Sequence, residues 1–129
     1  MHKKFLFIGA LSGAIAVSLG AFGAHGLKQI AASTDVTAFQ TGVQYQMYHT
    51  LALMLVAIVY DRLANRWIIA SAYLFAFGVL FFSGSLYLIT GLKASGVSVP
   101  VVVGIITPLG GLCFIVGWLC FLVGVVKKN

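Results

Sequence analysis

The sequence predicts an all-α integral membrane protein, a four-helix bundle with a short interfacial helix between spans one and two. Three observations predict it. Of 129 residues, 61% are hydrophobic and 8% charged, and the mean hydropathy is +1.09, beyond what ordinary soluble domains reach. The apolar residues gather into four stretches, about 5–25, 43–61, 67–90 and 99–126. Each can supply most of the roughly 20 residues needed to cross a hydrocarbon core. The cations are also unevenly placed: Lys3, Lys4, Arg62, Arg66, Lys127 and Lys128 fall on one side of a four-span topology, Lys28 and Lys93 on the other. This positive-inside bias places both termini and the Asp61–Arg66 loop in the cytoplasm, with the chain in the plasma membrane. It also accounts for the net charge of +6 without nucleic acid as a partner; the expected surroundings are the lipid bilayer.

The first span opens on the basic Met1-His2-Lys3-Lys4, and Ala21-Phe22-Gly23 resembles a signal-cleavage site, but the apolar run is longer than a signal core and reads as a helix that stays. Helices in lipid gain little from hydrophobic association and depend on small residues for close approach. Ser12, Ala16, Gly20 and Ala24 form such a row, and Gly9 with Gly13 makes a GxxxG on a neighbouring face. Gly26 is placed to take the left-handed position that ends a helix.

After this span, Ser33-Thr34-Asp35 offers N-caps for a helix near Val36, read as an interfacial segment at about 36–45 that, with no proline after it, can run on into span two unless Gly42 interrupts it. At roughly 100° per residue, Thr37, Gln40, Thr41, Gln44, Tyr45, Tyr48 and His49 share one half of this helix. Phe39, Val43 and Met47 occupy the other half, with Gln46 and Thr50 as exceptions to the pattern.

The third span carries Ala72, Ala76 and Gly84 for close approach and Phe75, Phe77, Phe81 and Phe82 as bulk. Trp67 and Trp118 suit the membrane boundaries, where an indole N–H reaches the headgroups. In the last span Gly110, Cys113, Gly117, Cys120 and Gly124 recur at alternating steps of three and four, the seam of a left-handed helix pair. Pro108 predicts a kink or a late helix start. Cys113 and Cys120 lie about 10 Å apart along one helix and cannot bridge; they read as packing residues. The small-residue rows on spans one and four could serve within the bundle or between copies, leaving a homo-oligomer open.

Chemistry is harder to find. There is no P-loop, HExxH or CxxC, nothing assembles Ser, His and Asp into a triad, and no cofactor is implied. The polar residues that cost most are those at the mouth of span two, because Tyr48, His49 and Thr50 lead directly into LALMLVAIVY and need partners or a wet cavity. His25, at the end of span one, must emerge on the same side. The expected site is therefore an outward-facing pocket of His25, Gln44, Tyr45, Tyr48 and His49, able to bind a lipid headgroup, a quinone carbonyl or another small polar molecule, or to relay a proton. Two histidines fall short of a metal site.

GAFGAHGL at 20–27 and FQTGVQYQMYHTLAL at 39–53 resemble the bacterial family known as domain of unknown function 423, to which human transmembrane protein 256 is related. The resemblance spans the chain and includes FSGSLYL at 82–88. It carries over Gly20, Gly23, His25, Gly26, Gly42, Tyr45, Gln46, His49, Ser83, Gly84 and Tyr87 as motif positions, and implies a small multi-pass membrane protein without supplying an activity. Three functions stay open: a non-enzymatic protein that binds a small lipidic or polar ligand or a partner helix, a small oligomeric transporter or channel subunit, and a membrane enzyme acting on a lipid or quinone. A transporter calls for a broken helix near Pro108; an enzyme calls for titratable groups converging in a lipid-accessible cleft.

Overall fold

The computed structural model describes residues 1–127; of the cations counted above, Lys128 lies outside them. Helix α1 (Lys3–Ala24) is followed by a single 3₁₀ turn at Leu27–Gln29 and then by α2 (Ser33–Leu63). The third span is built from α3 (Arg66–Gly78), one π-helical turn at Val79–Ser83 and α4 (Gly84–Ala94); α5 (Val101–Val126) closes the chain. Four helical segments are long and apolar enough to cross a membrane.

Three local expectations are revised. The interfacial helix and span two are one rod of 31 residues from Ser33 to Leu63. No proline interrupts it, and Gly42 serves packing instead: a Cβ there would lie 3.0 Å from the Tyr87 ring, and the Gly42 carbonyl accepts a 2.7 Å bond from Ser83 Oγ. Ala32, not Ser33, is the N-cap, without a side-chain bond; Asp35 meets the start of the helix dipole and pairs with Lys93 at 2.9 Å. Gly26 is right-handed, at φ −66°, because the chain continues into the 3₁₀ turn that buries Leu27; Gly96 alone among the described residues has positive φ.

Pro108 does not delay α5, which runs as one helix from Val101 through it. The irregularity lies across from it, in the π turn of the third span. Such a turn, bonded i to i+5, is rare and appears mostly as a single bulge inside an α-helix. Here a Cβ on Gly110 of α5 would stand 2.2 Å from the Phe82 backbone nitrogen, so the two backbones touch.

That contact begins a regular seam. Gly110, Gly117 and Gly124 of α5 face Phe82, Phe75 and Ile68 of the third span, each seven residues from the next, running antiparallel. Heptad spacing on both helices keeps the pair in register over its length. Within the expected row Cys120 is buried, while Cys113 is only half-buried. Phe114 takes its place because its ring enters the notch left by Gly78. At the end of this seam Asn65 caps α3 through the Trp67 and Ile68 amides and donates a 2.9 Å bond to the Gly124 carbonyl.

The layout is open. Helix α2 lies in the middle, with α1 on one flank and the third span on the other, and α5 packs on the third span. Because α1 rests on α2, a groove remains between α1 and α3.

A buried polar network beside a mid-membrane cleft

The α1/α2 contact is made by small residues: Gly9 meets Met54, Gly13 meets Thr50, Gly20 meets Val43, and Gly23 meets Phe39 and Gln40. Ala16 is wholly buried among them. This register fixes the depth of every candidate residue. Since Gly23 sits opposite Phe39 and Gln40, His49 lies nine to ten residues deeper, about 14 Å along the axis.

The expected five-residue pocket does not assemble. His25 is exposed at the helix end, far from His49, and Gln44 and Tyr48 are exposed on the outside of α2. Tyr45 and His49 do come together, their rings 6.0 Å apart. The reason is length: a continuous α2 carries His49 to mid-span, whereas α1 ends level with the first turns of α2.

His49 is nevertheless the pivot of the molecule. Its ring is 5% exposed and stacks on Phe114 at 3.5 Å between centroids, 9° from parallel. Its Nδ1 lies 2.8 Å from the Tyr45 carbonyl and its Nε2 3.2 Å from Trp118 Nε1. A carbonyl only accepts and an indole N–H only donates, so the imidazole is neutral with its proton on Nδ1. Trp118 is thereby placed at the depth of His49 rather than at the expected boundary, 45% exposed on the outside of the bundle. Trp67 is at the terminal end, under Arg66 and Lys127 at 5.2 and 5.3 Å.

The groups that sequence reading set aside form the real polar centre. Tyr87 donates to Gln46 Oε1 at 2.6 Å; Gln46 Nε2 donates to the Ser12 carbonyl at 3.0 Å and to Ser12 Oγ at 3.3 Å; Ser12 and Thr50 share a 2.6 Å bond. Three spans are tied by one amide, which uses both its ends. Gln46 and Thr50 broke the polar-stripe pattern, and that was the available signal: polar groups on the apolar side of a span must face protein rather than lipid. Ser12 had been counted only as a small residue. Ser85 of the third span adds a separate tie to Thr107 of α5 at 2.6 Å.

Against this network lies a cleft of about 250 Å³. Ile8, Leu11 and Ile15 of α1 form one wall and Phe75, Ala76 and Leu80 the other; Gln46, His49 and Thr50 of α2 are the floor. Leu11 and Leu80 are exposed at its lips, so in a membrane it opens sideways to lipid. A shallower groove of about 610 Å³ lies on the far side of His49, between Tyr45, Pro108 and Trp118.

Comparison with known proteins now places the chain. The family model described as "Protein of unknown function (DUF423)" matches residues 19–111. The chain belongs to that DUF423 family. Among its relatives, the UPF0382 membrane protein YwdK of Bacillus subtilis is 41% identical over 126 residues, covering 97% of this chain and 98% of the relative. A UPF0382 membrane protein of Haemophilus influenzae is 41% identical over 129 residues, 100% of this chain and 98% of its own. The UPF0382 inner membrane protein YgdD of Escherichia coli K12 is 38% identical over 128 residues, 98% and 93%. No solved structure matches the chain. The DUF423 chain is thus a multi-pass membrane protein of uncharacterised activity, and its family match spans the α1 end, the whole of α2 and the π turn.

Proposed function

We propose that this DUF423 protein is a non-enzymatic membrane binding protein whose site is the α1/α3 cleft and whose ligand is an apolar chain drawn from the bilayer. The observation that carries this is a lipid-facing cleft with aliphatic and aromatic walls whose polar floor is already hydrogen-bonded within the protein. Such a floor fixes shape without requiring a polar ligand to satisfy it. One ionisable side chain, His49, reaches the cleft, and both its nitrogens are engaged, which favours binding over acid–base chemistry. The unbroken α5 weighs against the transporter reading. The cation distribution supports the termini facing the cytoplasm.

The test is a photoactivatable fatty acid added to membranes containing the full chain. Labelling is expected on peptides of α1 and the third span that include Leu11 and Leu80. Ala76→Trp, which places an indole in the half-buried wall, should reduce that labelling severalfold. Labelling spread evenly over all four spans, unchanged by Ala76→Trp, would refute the reading.

A further inference from the structure

A second cavity lies at the terminal end of the same groove. It has a volume of about 310 Å³ and is lined by His2, Lys3, Lys4, Tyr60, Asp61 and Tyr73, with Met1. These residues come from the same three elements as the mid-membrane cleft: the start of α1, the end of α2, and α3. Phe5 and Tyr73, in edge-on contact at 5.4 Å, lie between the residues of the polar cavity and those of the apolar cleft, which begins at Ile8 and Ala76.

We propose that the two cavities are one site for an anionic phospholipid, with the phosphate held at the start of α1 and an acyl chain lying in the α1/α3 cleft; this rests on the cleft reading above.

Charge supports the phosphate end. Lys3 and Lys4 bring two ammonium groups, and the one carboxylate, Asp61, is ion-paired with the Met1 ammonium, so it does not cancel them. The first turn of α1 carries no side-chain cap, which leaves its amides directed at the cavity end of the helix, a favourable arrangement for an anion. A further sign is independent of the helix end. His2 is clamped between Phe5, stacked at 4.0 Å, and Tyr60, edge-on at 4.9 Å, and its Nδ1 is buried with no hydrogen-bond partner among the described residues. A buried polar atom left unpaired costs free energy; the rings that clamp His2 seal Nδ1 from the cavity, so pairing it with a phosphate oxygen requires the imidazole to turn outward.

Length supports the acyl end. From Lys4 to Ile15 is eleven residues, about 16 Å along α1, close to half of the roughly 30 Å hydrocarbon thickness and hence the depth of one leaflet. A free phosphate would use only the upper cavity. A phospholipid uses both, and the alignment of the two along Lys4, Ile8, Leu11 and Ile15 is what selects it.

The experiment is native mass spectrometry of the full chain released from mild detergent, with added dioleoylphosphatidylglycerol, dioleoylphosphatidylcholine or inorganic phosphate. The wild type is expected to retain the anionic lipid up to about thirtyfold over the zwitterionic one, as two lysines near a headgroup imply. Lys3→Gln with Lys4→Gln should erase that preference. His2→Phe, which keeps the ring contacts and removes the nitrogen without altering the lysines, should lower retention of the anionic lipid severalfold and leave the zwitterionic lipid unchanged. Ala76→Trp should lower retention of both lipids, and circular dichroism of each variant should match the wild type. Equal retention of both lipids by the wild type, with Ala76→Trp still lowering both, would overturn the headgroup site and leave the cleft standing. Retention indifferent to Ala76→Trp would overturn the cleft itself, and with it this site. Displacement of the anionic lipid by inorganic phosphate alone would show a simple anion site and overturn the phospholipid.

Discussion

Two seams of the molecule are held by different physics. Along one, α5 locks onto the third span through three glycines that receive Ile68, Phe75 and the Phe82 backbone, with hydrogen bonds from Asn65 to Gly124 and between Ser85 and Thr107 at its two ends. Along the other, α1 is held to α2 by small residues together with the Ser12, Gln46 and Thr50 bonds, and the space between α1 and α3 stays open. Bulk set into glycine notches closes a seam completely, because every notch is filled by its partner. A hydrogen-bonded seam needs only a few aligned groups, so it can hold a helix in place while leaving its neighbour's surface uncovered. The cleft exists because α1 was attached by the second method.

The sharpest way to break the tight seam is Gly110→Leu. The new Cβ would meet backbone at 2.2 Å, and backbone cannot rotate away. The expected loss exceeds about 3 kcal/mol, the upper range for overpacking, visible as failure to recover folded, monodisperse protein in detergent. A variant that melts within a degree or two of wild type would mean the π turn relaxes and the seam is not locked.

The polar seam should yield less. Gln46→Leu removes the acceptor of Tyr87 and the donor to Ser12, and is expected to cost about 1–2 kcal/mol in a denaturation assay. Adding Tyr87→Phe should recover part of the loss, since the orphaned hydroxyl goes with it. A double-mutant cycle with no coupling between the two positions would show that the amide is not the tie between spans. Smaller again is Trp118→Phe. It surrenders one 3.2 Å bond to His49 while keeping an aromatic against Phe75, and the expected cost is about 0.6 kcal/mol, the average for such bonds in a membrane. His25→Ala, at an exposed helix end, should leave stability unchanged in the same assay and so serves as the reference for the series.

How far the molecule was legible from its sequence differs between these seams. The α5 row could be read from spacing, since Gly110, Gly117 and Gly124 repeat every seven residues and a heptad of small residues has one structural use in lipid. The α1 row was equally visible. The site was not. Tyr45 and His49 were named, but His25 was joined to them on the assumption that the second span begins where the first one ends. The helix instead starts at Ser33, runs 31 residues, and draws His49 down to mid-membrane. Depth follows from where a helix starts and whether it breaks, and Gly42 gave a false sign of a break. Its real reason, the Tyr87 ring against it, belongs to another span.

Sequence by itself determined that the chain is four apolar helices with its cations gathered at one end, because those properties depend on composition and on periods within a single helix. It also marked which faces of α1 and α5 are smooth enough for close contact. Only the tertiary structure decided which polar residues meet. Gln46 finds Ser12 thirty-four residues earlier and Tyr87 forty-one later, and His49 finds Trp118 sixty-nine residues on. No local period encodes such pairings; they follow from the register of helices packed side by side, which is set by notches and bulk along the whole of each seam.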